Sequence, residues 1–193
     1  MNIAEVKIVS TLIEKGEEKI SISQLARELK MDYKNVYTNV KKLERENILI
    51  FERFGKAINC ILNKKVHPLI FFAEYKRREK LLRNRSLKIL YEKLNSLSFP
   101  FIALIFGSYA KGKPTKKSDI DLMIICEKER EKEVEATISL LPLNIHPIIL
   151  TPKEFLNMAK TREFTVVSEA INKNIILIGI EDYYRLIENV EQK

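Results

Sequence analysis

The sequence is short of cysteine, has no apolar run long enough to cross a membrane, and starts without a secretory signal. Each absence closes off a class of protein. The longest apolar stretches, such as residues 99–106, are strand-sized, well below the roughly 20 residues a spanning helix needs. The first ten residues, MNIAEVKIVS, have neither a basic n-region nor an apolar h-region, so a cytoplasmic protein is expected. With only two cysteines, Cys60 and Cys126, neither a disulfide nor a metal site is expected. Both sit in apolar, strand-like segments (INCIL and MIICE), where a small buried core residue is the expected role.

What is present allows a core. The 193 residues are 46% hydrophobic and 31% charged, enough for two small domains or one of medium size. Residues 1–98 carry 21 Lys/Arg against 12 Asp/Glu, whereas residues 99–193 carry 13 against 14. The formal charge of +8 is therefore assigned to the first half of the chain. Such an excess fits either a surface that meets nucleic acid or a solvated lysine-rich one, and charge alone leaves both open.

Periodicity predicts a helix over 2–15, with Ile3, Val6, Ile8, Val9, Leu12 and Ile13 on its apolar stripe and Gly16 as its stop. A short extended piece, Ile20 to Ile22, follows. Ser23 is then expected to cap a short helix, and Asp32 to cap a second one over 33–46. Two apolar runs, 48–51 and 57–62, flank a Gly-containing turn and predict a hairpin. The segment ISQLARELKMDYKNVYTNVKKLERENIL resembles winged helix-turn-helix domains along its length. That resemblance implies a second helix in the major groove of double-stranded DNA and a wing on the backbone. It places Lys34, Asn35, Tyr37, Thr38 and Lys41, with Tyr33, toward the groove, and Arg53 and Lys56 on the wing. Such domains also serve as protein-binding modules and are often dimers, so a homodimer is left open. Residues 69–97 read as one basic amphipathic helix that links the halves. Its cations are either solvated or in contact with phosphate.

From Phe99 onward the pattern changes. PFIALIF is a continuous apolar run of the kind buried on both faces. It leads into GSYAKGKPTKKSDIDLMII, where Gly107-Ser108 precedes Asp119-x-Asp121. A strand that ends in Gly-Ser at a helix start offers backbone N–H groups to phosphate, and Ser108 adds a hydroxyl. Asp119 and Asp121 are two apart on a predicted strand and so share a face. Two such carboxylates repel unless a cation lies between them, and Mg²⁺ (or Mn²⁺) has the matching preference for oxygen. Lys111, Lys116 and Lys117 are near enough in sequence to offset phosphate charge.

This segment is similar to the signature of the polymerase-beta nucleotidyltransferase superfamily, and closest to its minimal nucleotidyltransferases, often antitoxins paired with HEPN toxins. The resemblance implies a nucleoside triphosphate (NTP) substrate, metal on Asp119 and Asp121, and triphosphate on Gly107, Ser108, Lys111 and Lys117. It also implies a third carboxylate on a later strand. Counted back from LTPKEF, that position holds His146. The imidazole is then a general base in a modified catalytic set, a sign of a site that binds without catalysing, or a hydrogen-bonded strand-edge residue.

The expected organisation is α+β: a winged helix-turn-helix over 1–66, a basic linker helix over 67–98, and a mixed-sheet nucleotidyltransferase domain over 99–193. Two functions fit it. One is Mg-dependent transfer of a nucleoside monophosphate, AMP being the expected one, to a hydroxyl of RNA or of a protein such as a HEPN-type partner. The other is a DNA-binding transcription regulator whose degenerate transferase domain senses a nucleotide.

Overall fold

The first helix begins where Asn2 can cap it. Asn2 Oδ1 accepts from the Ala4 amide at 3.1 Å, and Glu5 reaches back to the Asn2 amide at 3.0 Å. This reciprocal box satisfies two of the amides a helix start leaves without partners. The result is α1 (Ile3–Lys15), stopped by Gly16. In this computed structural model, residues 2–55, 57–115, 118–161 and 164–191 are described. They fall into two units, Met1–Lys76 and Arg77–Lys193.

In the first unit α1 is followed by β1 (Ile20–Ser21), α2 (Ile22–Leu29), α3 (Tyr33–Arg45), β2 (Leu49–Phe54) and β3 (Ala57–Leu62). The sheet order is β1-β3-β2 with antiparallel pairing throughout, so the hairpin is closed by the short strand ahead of α2. The helix starts differ in detail from expectation. Ser21, not Ser23, caps α2, because its hydroxyl accepts from the Gln24 amide while the Gln24 side chain returns to the Ser21 amide. Asp32 caps α3 as expected, accepting from the Lys34 and Asn35 amides at 2.9 and 3.2 Å. Lys30, in the left-handed region at φ 53°, makes the turn between the two helices.

The core of this unit holds Ile8, Val9, Leu12, Leu25, Ala26, Val36, Val40, Leu43 and Cys60. The predicted stripe of α1 is corrected at its start: Ile3 is exposed, while Ala4 and Glu5 are buried. Glu5 tolerates burial because Lys42 of α3 donates to its carboxylate at 2.6 Å. That hydrogen bond, with the one from Asn2, lowers the Glu5 pKa despite burial.

The single helix expected over 69–97 is two, α4 (Pro68–Leu81) and α5 (Arg85–Asn95). Asn84 interrupts it by accepting from the Ser86 and Leu87 amides, a cap that favours a new helix over a continued one. His67 accepts from the Leu69 amide through Nδ1 at 3.1 Å at the start of α4. The unit boundary falls inside α4, and this changes the charge argument. Residues 1–76 carry 14 Lys/Arg against 10 Asp/Glu, and residues 77–193 carry 20 against 16, so the excess is +4 in each unit. The basic stretch 77–98 belongs to the second unit, where Arg77 and Arg78 donate to the Asn174 and Leu177 carbonyls at 2.7 Å each.

The second unit is a four-stranded mixed sheet of order β6-β5-β4-β7, with β4 (Ile102–Ile105), β5 (Ile120–Ile125), β6 (Ile145–Leu150) and β7 (Ile175–Ile178). β5 and β6 are parallel; β4 is antiparallel to both β5 and β7. Every residue of β4 is buried, as the unbroken apolar run predicts. Ala103, Ile105, Leu122, Ile124 and Leu177 pack with Leu87, Leu90 and Leu94 of α5 and with Val134 and Ile138 of α7 (Glu131–Ser139). Residues of opposite parity on β5, namely Asp121, Met123 and Ile125, point away from that cluster, and Asp119 just ahead of the strand shares their parity. The short α6 (Gly107–Ala110) follows β4 directly, and α8 (Pro152–Ala159), α9 (Val166–Asn172) and α10 (Ile180–Glu191) complete the unit.

Candidate functional site

Pairing of the strands brings the candidate residues of the second unit together at one end of the sheet. β4 runs antiparallel to β5, so its last residues lie beside the first residues of β5. The pairing continues past β4, where the Phe106 amide donates to the Asp121 carbonyl at 3.1 Å. The chain then turns at Gly107, φ +63°, into α6. The backbone of Gly107 abuts the Asp121 side chain: a Cβ here would collide with Oδ2 and stand 2.8 Å from Cγ. The sequence assigns this glycine to the close approach of a triphosphate. In the fold its lack of a side chain first of all admits the Asp121 carboxylate.

β5 and β6 run side by side in parallel, with Asp121 in register with His146. His146 Nδ1 is 3.7 Å from Asp121 Oδ1. The imidazole is 69% exposed and the carboxylate 29%, so the pair is open to a ligand from solvent. Two residues earlier, just ahead of each strand, Asp119 stands next to Asn144. The Asn144 side-chain amide donates to Asp119 Oδ1, and the Ile120 amide donates to the Asn144 carbonyl at 2.9 Å. Asn144 is the residue that sequence reasoning passed over. A single asparagine ahead of a strand carries no signal of its own.

Hydrogen bonds within the segment hold the Gly-Ser turn and the loop after it. Lys111 and Lys113 amides donate to the Gly107 and Ser108 carbonyls at 3.0 Å each, and Ser118 Oγ accepts from the Thr115 amide at 2.8 Å. Lys111, expected to face phosphate, makes an ion pair with Glu169 of α9 at 2.7 Å. Lys117, like Lys116, lies outside the described residues.

A divalent cation fits this donor set in a particular way. Among the described residues no three His, Cys, Asp or Glu side chains cluster to hold an ion unaided. Mg²⁺ is commonly held by one or two carboxylates, the rest of its shell being substrate phosphate and water. Asp119 and Asp121 are the residues that could hold such an ion.

In the first unit, α3 presents Tyr33, Lys34, Asn35, Tyr37 and Thr38 to solvent, with Tyr33 and Tyr37 stacked at 6.1 Å between ring centroids. Three residues of the expected groove-facing set have side chains engaged within the unit. Lys41 lies 4.6 Å over the Phe51 ring and 3.2 Å from Glu44, and Asn35 accepts from buried Asn39 at 2.7 Å. Thr38 donates to the Lys34 carbonyl at 2.9 Å. Arg53 is exposed on β2, and Lys56 lies outside the described residues.

Compared with known proteins, residues 88–183 match the family model described as "Polymerase beta, Nucleotidyltransferase". Residues 2–64 match a second family model, described only as HVO_A0114. No curated protein and no solved structure matches the chain. The first match supports the polymerase-beta superfamily for the C-terminal region, and the mixed sheet there fits that fold. Among the described residues no helix is long and apolar enough to cross a membrane.

Proposed function

With the polymerase-beta nucleotidyltransferase match of residues 88–183 as premise, we propose that this protein transfers a nucleoside monophosphate, AMP by expectation, from an NTP to a hydroxyl acceptor on RNA or protein. The observation that carries the reading is the convergence of Gly107, Asp121 and His146, from three different elements, at one end of the sheet. Asp119 and Asp121 are the residues that would hold Mg²⁺ or Mn²⁺, and such an ion would supply charge neutralisation for the triphosphate and the leaving pyrophosphate. Ser108 and the α6 backbone orient the phosphates beside them. In the transfer, the acceptor oxygen forms a bond to the α-phosphorus, the bond from that phosphorus to the bridging oxygen breaks, and pyrophosphate leaves with the electron pair. The hydroxyl proton goes to a base, and His146, exposed beside Asp121, is the group of this chain placed to take it.

The first unit is the proposed DNA reader. Its support is the order helix, strand, helix, turn, helix, hairpin together with the exposed Tyr33, Lys34, Tyr37 and Thr38 on α3. The even split of charge between the units weakens the compositional argument for DNA, so this part rests on the α3 surface. A second reading is favoured by one observation: His146 occupies the strand position where the superfamily pattern calls for a third carboxylate. On that reading the protein is a DNA-binding regulator whose transferase-like unit senses a nucleotide.

The test is transfer of label from α-labelled ATP, with Mg²⁺ or Mn²⁺, in a lysate of the source cell, against the double variant Asp119→Ala, Asp121→Ala. A labelled RNA or protein band absent from the variant supports the enzyme and identifies the acceptor class. No band, with ATP binding retained, moves the case to the nucleotide sensor.

A further inference from the structure

The two residues that face the aspartates, one just ahead of β6 and one on it, pair with them one to one. Asn144 meets Asp119 and His146 meets Asp121. We propose that Asn144 is a positioning residue that fixes the Asp119 carboxylate for the metal-bound triphosphate, an inference that rests on the transferase reading above.

Asp119 needs such a partner. It is exposed and lies just ahead of the first residue of β5, so the strand itself does not lock its side chain as it locks Asp121 against Gly107. Asn144 is in turn held by the sheet. Its carbonyl accepts from the Ile120 amide at 2.9 Å, so the same residue grips the Asp119–Ile120 peptide unit by its backbone and the Asp119 carboxylate by its side chain. The choice of an amide is chemically specific. A neutral donor satisfies one lone pair of the carboxylate and leaves the others for a cation. Lysine or arginine there would compete with the ion for the same oxygens, and aspartate would repel Asp119 in the unliganded state. Outer groups that orient a metal-binding carboxylate typically contribute about 10–100-fold to metal affinity, a magnitude that makes the role measurable.

The experiment titrates Mn²⁺ into the full chain with a non-hydrolysable ATP analogue, following the loss of the free-ion paramagnetic resonance signal. It is run on the natural protein, Asn144→Ala, Asp119→Ala and the double variant, with circular dichroism as a folding control. The expected result is a loss of Mn²⁺ affinity of about 10-fold or more in Asn144→Ala and in Asp119→Ala, with no further loss in the double variant. Asn144→Ser, which keeps a hydroxyl donor, is expected to recover part of the affinity. Unchanged affinity in Asn144→Ala alongside a loss in Asp119→Ala overturns the positioning role and leaves the transferase reading intact. Additive losses in the double variant also overturn it, because Asn144 would then act independently of Asp119. Absence of Mn²⁺ binding in the natural protein overturns both.

Discussion

Gly107 and Asp121 are packed so closely that a methyl group on the former would occupy the space of the latter's carboxylate. The glycine is also in the left-handed region, φ +63°. Gly107→Ala therefore carries two penalties, a backbone strain of about 1–3 kcal/mol and a displaced Asp121. We expect transfer, or nucleotide-dependent Mn²⁺ binding, to fall by roughly 10-fold or more, since misplacement of a reacting group by about 1 Å costs on the order of 100-fold. Retained Mn²⁺ affinity in a folded Gly107→Ala protein would show that Asp121 does not hold the ion.

His146 separates the two functional readings. If the natural site is a degenerate binder, His146→Asp restores the missing charge and creates or raises transfer. If His146 is the working base, the same substitution leaves activity unchanged or lowers it, and His146→Ala lowers it by roughly 100-fold or more. The labelled-ATP assay reads both.

Exposed Lys34 and packed Lys41 should differ toward duplex DNA. Lys34→Ala is expected to weaken binding and to reduce the slope of log affinity against log salt by about 1. Lys41→Ala, whose cation lies over Phe51 beside Glu44, is expected to leave that slope unchanged. Band shifts at three salt concentrations suffice. Binding that ignores salt would rule out phosphate contacts.

Glu5 makes the first unit sensitive to acid. Its carboxyl is held below the usual glutamate range by the hydrogen bonds from Lys42 and Asn2. A group whose folded pKa is lowered contributes stability that is fully present above its unfolded pKa and fades as pH falls through the folded one. The protection of amides in α1 and α3 relative to their intrinsic exchange rates should therefore fall on acidification below about pH 4, and Glu5→Gln should remove that dependence. Glu5→Ala should also cost about 1 kcal/mol at neutral pH through loss of the capping box. An unchanged exchange profile in Glu5→Gln would refute the assignment.

Burial raises both thiols, that of Cys60 to about 12. Neither is expected to react with a thiol-specific reagent at pH 8 until the protein is unfolded, because the thiolate is the reactive form. Rapid labelling of the native protein would contradict the burial of these side chains.

Much of the second unit could be read from the sequence because its signals are local. An unbroken apolar run predicts a strand covered on both faces, and β4 is buried at every residue. The spacing of Asp119 and Asp121 places them on one face. Counting back from LTPKEF reaches His146, which the register sets beside Asp121. Capping was less legible: Ser21 and Ser23 both offer a hydroxyl, and only the reach of Gln24 decides for Ser21. The split between α4 and α5 escaped because the apolar spacing runs on through Asn84, which caps the second helix.

By itself, then, the sequence determined most of the strands and helices and the Gly-Ser and Asp-x-Asp pattern, since each depends on periodicity or spacing within a short segment. Tertiary structure decided the partners. Asn144 meets Asp119 across 25 residues, Lys111 meets Glu169 across 58, and Arg77 and Arg78 reach the ends of β7 across 97 and 99. A charged or amide side chain far from its partner in sequence carries no mark of that partner. Only the closing of the sheet brings them within hydrogen-bond reach, and only then does a cation expected to face a ligand prove to be held by the protein itself.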